Sequence, residues 1–251
     1  INDKETINQE NSGEEVIVPN ADPVEVEKPL QITKPSERVF SELSEIKFEN
    51  VSLEPEDISL LDQRYLDNIV VVGDSISKGY SVYGRLNADN VLAVGSIGVR
   101  NVLETKFEYK GSSLGLLDIL EKKKPKYIFV SLGMNDINIH SEEVFVENYK
   151  TLLEKIFEVS PYSKIIITAI TPVTYGNSFT NNDKIDTYNE TLRKMVYELN
   201  SDKVFFVNAA QYLKGDNNSL ISELSSGDGI HLAAIAYDYL LTYMLIMLEW
   251  I

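Results

Sequence analysis

Five residues in this 251-residue chain have the types that acyl transfer needs, and they fall in four short blocks. Ser75 stands in VVGDSISKGY (71–80), where an apolar run stops and a glycine, a carboxylate and a hydroxyl follow at once. A hydroxyl at that place is either the N-cap of a following helix or a nucleophile held at the edge of a sheet. A nucleophilic serine needs a base that titrates near neutral pH, and histidine is the usual one. The chain has only two histidines, His140 and His231. His231 lies in SGDGIHL (226–232), three residues after Asp228, so one turn can present both side chains together. Asp228 would then set the imidazole tautomer while the other ring nitrogen faces Ser75.

Attack on an ester builds negative charge on the carbonyl oxygen, and donors must already point at it. The amide of Ser75 is one candidate. Gly98, in GSIGVRN (95–101), offers a backbone N–H that a side chain would screen from close approach. Asn135, in GMNDIN (133–138), offers a carboxamide. Asn135 has a second reading, as a residue that satisfies buried loop backbone, and Asp136 beside it reads as structural. Asp74 also reads as structural, because the D-x-D pattern of a phosphoryl-accepting aspartate is absent. The glycines at 95 and 98 lack the spacing and the Gly-Lys-Ser/Thr of a phosphate cradle. Tyr80, Tyr175 and Phe179 are each open between shaping a substrate rim and simply packing, and His140 between lining the cleft and standing at the surface.

These blocks need a scaffold that brings distant segments to one edge, and the rest of the sequence supplies its pattern. The runs IVVV (69–72), VLAV (91–94), YIFVSL (127–132), KIIITAI (164–170) and KVFFVN (203–208) are short, β-branched and free of period-two alternation. Such runs are buried on both faces, as in a parallel sheet. Amphipathic helices fit between them. In 141–160 apolar residues recur at i, i+4, with Ser141 as N-cap and Glu142 and Glu143 at the positive end of the dipole. The stretch 183–200 repeats this logic. Strand–helix alternation predicts an α/β layered fold with right-handed crossovers, and ligands of such folds gather at the carboxyl ends of the strands. Three of the blocks follow those ends, and the fourth, SGDGIHL (226–232), lies just before the final helix. The final segment, LAAIAYDYLLTYMLIMLEW (232–250), is strongly apolar, but Asp238, Glu249 and three tyrosines interrupt it. It reads as a core helix rather than a transmembrane span.

The sequence resembles the SGNH subgroup of GDSL-type esterases and lipases. VVGDSISKGY, VGSIGVRN, VSLGMNDIN and GDGIHL carry the likeness in the family's order, supported by TAITPV (168–173) and IDTYNETLRK (185–194). The resemblance covers roughly residues 65–250. It implies a three-layer α/β/α, flavodoxin-like domain with a five-stranded, mostly parallel sheet, and ester hydrolysis through an acyl-enzyme without a cofactor. On that resemblance Ser75 is the nucleophile, Asp228 and His231 complete a triad, and Ser75, Gly98 and Asn135 form the oxyanion hole.

Composition narrows the partners. A net charge of −16 disfavours nucleic acid and anionic membranes. With no cysteine there is no thiol chemistry and no disulfide, and no carboxylate or histidine cluster has metal-ligand spacing, so no metal is expected. Phosphodiester chemistry would need a metal or a basic clamp, and Arg85 and Arg100 are too few. Residues 1–30 hold eight acids against two lysines, with three prolines, which predicts a flexible acidic linker. Residues 31–64 are expected to be an extension packed on a hydrolase domain spanning 65–251. A spacer of this kind points to a secreted or cell-surface-attached protein. The polar loops TYGNSFTNND (174–183) and KGDNNSL (214–220) favour a small acyl group, such as acetyl, on a carbohydrate or cell-wall polymer. A lipase acting on longer acyl esters and a non-catalytic glycan-binding domain are the competing readings.

Overall fold

The computed structural model describes residues 63–248 and 251. The expected linker over 1–30 and nearly all of the expected extension over 31–64 lie outside the described residues. From Gln63 onward the elements run α1 (Gln63–Asp67), β1 (Ile69–Gly73), α2 (Gly79–Val82), β2 (Val91–Ala93), β3 (Lys106–Tyr109), β4 (Ser112–Gly115), α3 (Leu116–Lys123), β5 (Tyr127–Ser131), α4 (Glu142–Val159), β6 (Lys164–Thr168), α5 (Asn182–Leu199), β7 (Val204–Val207) and α6 (Ala234–Leu248).

Each of the five apolar runs becomes a strand of one sheet, ordered β2-β1-β5-β6-β7, and every pairing in it is parallel. The strands carry no alternation because both faces are covered: Ile69, Val70, Val71, Val72, Phe129 and Ile166 are all fully buried. The order is that of flavodoxin-like sheets, and the chain leaves β1 in opposite directions, first to β2 and later to β5. That reversal is where α/β sheets place ligands. Helices α3, α4 and α5 pack side by side, whereas α2 packs on α6. Right-handed crossovers put these two groups on opposite faces of the sheet, giving three layers.

The helix ends follow their local chemistry. Ser141 caps α4, its hydroxyl accepting from the Val144 amide, and Asn181 caps α5 by accepting from Lys184 N at 2.9 Å. Phe145, Tyr149, Leu152, Leu153 and Ile156 form the buried stripe of α4. Helix α6 is buried nearly all round, and its one acid, Asp238, is held by the Arg85 guanidinium. No described helix is long and apolar enough to cross a membrane.

Two local features depart from the sequence pattern. An antiparallel hairpin, β3–β4, turns at Lys110-Gly111, both at positive φ (49° and 75°). That is the backbone a two-residue primed turn requires. Its alternation over KFEY is only four residues long and half charged, too short a signal to stand out in the sequence. The regular helix expected directly after Ser75 is delayed to Gly79. The carboxylate of Asp74 accepts from Ile76 N at 2.9 Å, and Lys78, Gly79 and Tyr80 then close successive turns onto Asp74, Ile76 and Ser77. Side-chain capture of the backbone competes with helix at that point.

Candidate active site

The turn after β1 is set by close packing. A Cβ on Gly73 would overlap the Ser77 hydroxyl and approach Ser131 O to 2.7 Å, so only glycine lets the chain fold back so tightly. Beyond it Asp74 is 3 % exposed, and Ser75 comes to the surface half-buried. Burial pushes the Asp74 carboxyl up to about 6, against the pull of the Ile76 and Ser77 amides and of His231, with Asp136 adding to the rise. Asp74 is therefore a buried carboxylate that holds the turn, not a group free for solvent chemistry.

The partner loop comes from 156 residues further along. Ser225 pairs with Leu232 across a bridge, and the Ser225 hydroxyl accepts from the amides of Gly227 (3.2 Å) and Gly229 (3.0 Å). Gly227 and Gly229 take positive φ of 114° and 79°, which L side chains rarely adopt. Inside this turn Asp228 Oδ1 accepts from Ile230 N (2.9 Å) and His231 N (2.8 Å), leaving Oδ2 for the ring. The result is a chain of contacts: Asp228 Oδ2 to His231 Nδ1 at 2.5 Å, and His231 Nε2 to Ser75 Oγ at 2.9 Å.

A carboxylate only accepts, so Nδ1 carries the proton and Nε2 turns its lone pair to the serine hydroxyl. Burial opposes the charge on Asp228. The hydrogen bonds from the His231 ring and from the Ile230 and His231 amides outweigh it and bring the carboxyl down to about 2.

The expected oxyanion donors flank this chain, and they differ in state. Among the described residues the Ser75 amide has no hydrogen-bond partner. The Gly98 amide does: it donates to Asn101 Oδ1 at 2.9 Å, as the turn 98–102 begins. The carboxamide of Asn135 donates to Ile97 O at 2.9 Å and reaches Asp74 Oδ2 at 3.5 Å. An oxyanion is a stronger acceptor than a neutral carboxamide or carbonyl oxygen, so it can share or displace these contacts. Packing gives Gly98 a second reason to be glycine, beside the access expected for its amide. A Cβ there would overlap the Asp136 carboxylate and the Arg100 guanidinium, so the loop itself forbids a side chain.

Asp136 is the residue whose importance the sequence understated. It is fully buried, accepts from Val99 N at 3.0 Å, and pairs with Arg100 Nη1 at 3.0 Å. Arg100 also donates to Asn135 O at 2.8 Å. This clamp fixes the Gly98 loop against the Asn135 loop. Its partners are 36 positions apart, and only the adjacency of Asp136 to Asn135 hinted at it.

The remaining candidates separate. Tyr80 is core, its hydroxyl donating to Met244 Sδ at 3.3 Å. Tyr175 and Phe179 are exposed on the loop after β6. His140 is half-buried, its carbonyl accepting from the Tyr188 hydroxyl. A small recess lies between Asp74, Ile76, Met134, Ile170 and Thr171, with room for about one water or methyl group. Among the described residues no three His, Cys, Asp or Glu side chains gather as a metal-ligand set.

This arrangement can be set beside known proteins. The model of the GDSL-like Lipase/Acylhydrolase family matches residues 71–239, two thirds of the chain and every block of the site. The chain belongs to that family. As a member of the GDSL-like acylhydrolases it is placed among hydrolases of acyl esters. Solved structures share its fold. A candidate platelet activating factor of Streptococcus pneumonia aligns with a TM-score of 0.56 and 18 % identity, over 84 % of this chain and 90 % of that one. A GDSL-like lipase of Bacteroides thetaiotaomicron aligns at 0.54 and 16 %, covering 77 % and 94 %. A carbohydrate esterase family 3 protein of Talaromyces cellulolyticus aligns at 0.52 and 13 %, covering 72 % and 95 %. At such identities the likeness establishes the fold alone. No curated protein matches the chain.

Proposed function

We propose that the protein is a serine ester hydrolase that works through an acyl-enzyme and removes a small acyl group, acetyl above all, from a carbohydrate or cell-wall polymer. The observation that carries the chemistry is the 2.9 Å contact of His231 Nε2 with Ser75 Oγ, backed by Asp228 on Nδ1. His231 takes the hydroxyl proton as Ser75 Oγ bonds to the carbonyl carbon, and the C=O electron pair moves to oxygen. The Ser75 amide, the Gly98 amide and the Asn135 carboxamide meet that oxygen. The intermediate collapses, His231 gives its proton to the departing alcohol, and the acyl group stays on Ser75. His231 then takes a proton from water as its oxygen bonds to the acyl carbon; the Ser75 Oγ–acyl bond breaks, His231 returns the proton to Oγ, and the acid leaves.

The preference for a small acyl group rests on the polar loops TYGNSFTNND (174–183) and KGDNNSL (214–220), which offer a long acyl chain little continuous apolar surface. With p-nitrophenyl esters of equal leaving group, kcat/KM for acetate is expected to exceed that for octanoate by about tenfold or more, since a chain without a pocket forfeits its burial energy. A preference for octanoate would overturn the small-acyl reading and favour the lipase reading.

A further inference from the structure

Three large apolar side chains stand in water on the rim next to the proposed triad. Tyr175 is 83 % exposed, Ile139 61 % and Phe179 41 %. They belong to the loops that leave β6 and β5 at the sheet's carboxyl edge. The Tyr175 loop is fastened to the Asp228 turn: Thr174 N donates to Gly229 O at 2.9 Å, and the Asn177 carboxamide reaches Asp228 O at 3.5 Å. Gly229 is so close that a Cβ would overlap the Thr174 hydroxyl. Phe179 N donates to Asn177 Oδ1 at 2.9 Å, and Phe179 O accepts from the Asn138 carboxamide at 2.7 Å, which brings Ile139 into the same rim. Hydrogen bonds thus tie the loop that carries the exposed rings to Gly229 and Asp228, two and three residues before His231.

We propose that Tyr175, with Phe179 and Ile139 beside it, is a stacking platform for the sugar ring that carries the ester, on the alcohol side of the site. This rests on the ester-hydrolase reading above. Exposed apolar groups rimmed by polar residues mark a binding surface. The residues between the rings (Gly176, Asn177 and Ser178) are small or polar, and Tyr175, Phe179 and Ile139 are all exposed, so they offer an open shelf. A shelf covers one face of a flat, partly polar ring, whereas an acyl chain needs enclosure to lose its water. Tyrosine suits such a ligand because its ring is apolar and its hydroxyl stays wet. The strong negative charge of the chain favours a neutral saccharide over an anionic polymer.

The test compares kcat/KM of wild type, Tyr175→Ala and Tyr175→Phe on an O-acetylated xylo-oligosaccharide, on p-nitrophenyl acetate and on p-nitrophenyl octanoate. Tyr175→Ala is expected to lower the ratio of saccharide ester to p-nitrophenyl acetate about tenfold, through KM, as loss of one aromatic stacking contact implies. Tyr175→Phe keeps the ratio within about twofold, since the ring face is retained. Because Tyr175 is so exposed, neither substitution threatens folding. An unchanged ratio in Tyr175→Ala, or a fall confined to the octanoate, overturns the platform. If wild type cleaves none of the three esters, it is the hydrolase reading itself that fails.

Discussion

Ser75→Ala is expected to lower kcat for p-nitrophenyl acetate by on the order of 10⁴- to 10⁶-fold, with an unchanged circular dichroism spectrum and melting curve. The size follows from the geometry. Oγ of Ser75 is the hydroxyl at hydrogen-bond distance from the lone pair of His231 Nε2. Ser77 cannot take its place, because it is 1 % exposed and packed beneath Gly73. Removing Oγ leaves donors that still polarise a carbonyl, so a small residual rate above water is expected. Turnover within tenfold of wild type would mean that the ester is cut by another group.

The second large effect is at Asp228. Asp228→Asn is expected to cost on the order of 10⁴-fold in kcat while leaving the fold intact. Oδ1 of Asp228 receives two backbone amides, from Ile230 and His231. An asparagine would keep its carbonyl oxygen on those amides and turn its NH₂ toward the ring. Nδ1 must then accept, the proton moves to Nε2, and Nε2 donates to Ser75 in place of accepting from it. The loop geometry survives and the base is lost. Steady-state kinetics with a thermal melt of the variant check this, and a loss smaller than tenfold would contradict the orienting role. The wild-type carboxyl, held down to about 2 by these same contacts, stays charged through the whole range in which a histidine base works.

Much of the architecture was legible because it is written in local patterns. Strands buried on both faces need uninterrupted apolar runs, and β1, β2, β5, β6 and β7 each have one. The stripes of α4 and α5 and the cap at Ser141 are equally local, whereas the α5 cap at Asn181 lies ahead of the stretch read as a helix. The β3–β4 hairpin was not legible, since its alternation over KFEY is brief and the Lys110 turn position is uncommon for a non-glycine residue. The meeting of Ser75 with His231 was expected because few residues in the chain could serve as its base.

The state of the donors was out of reach of the sequence. That the Gly98 amide already rests on Asn101, and that Asp136 and Arg100 clamp the two donor loops together, are facts of packing between segments. Composition could not show that Tyr80 is spent in the core while Tyr175 stands in water, because both look alike in a loop-rich region.

The whole reading depends on an activated hydroxyl at residue 75. Incubation with a fluorophosphonate probe, followed by proteolysis and peptide mass spectrometry, should place a single covalent adduct on the peptide carrying Ser75. The adduct should disappear in His231→Ala, which removes the base that activates the serine. No adduct on the folded wild-type protein, or an adduct on a different serine, would contradict it.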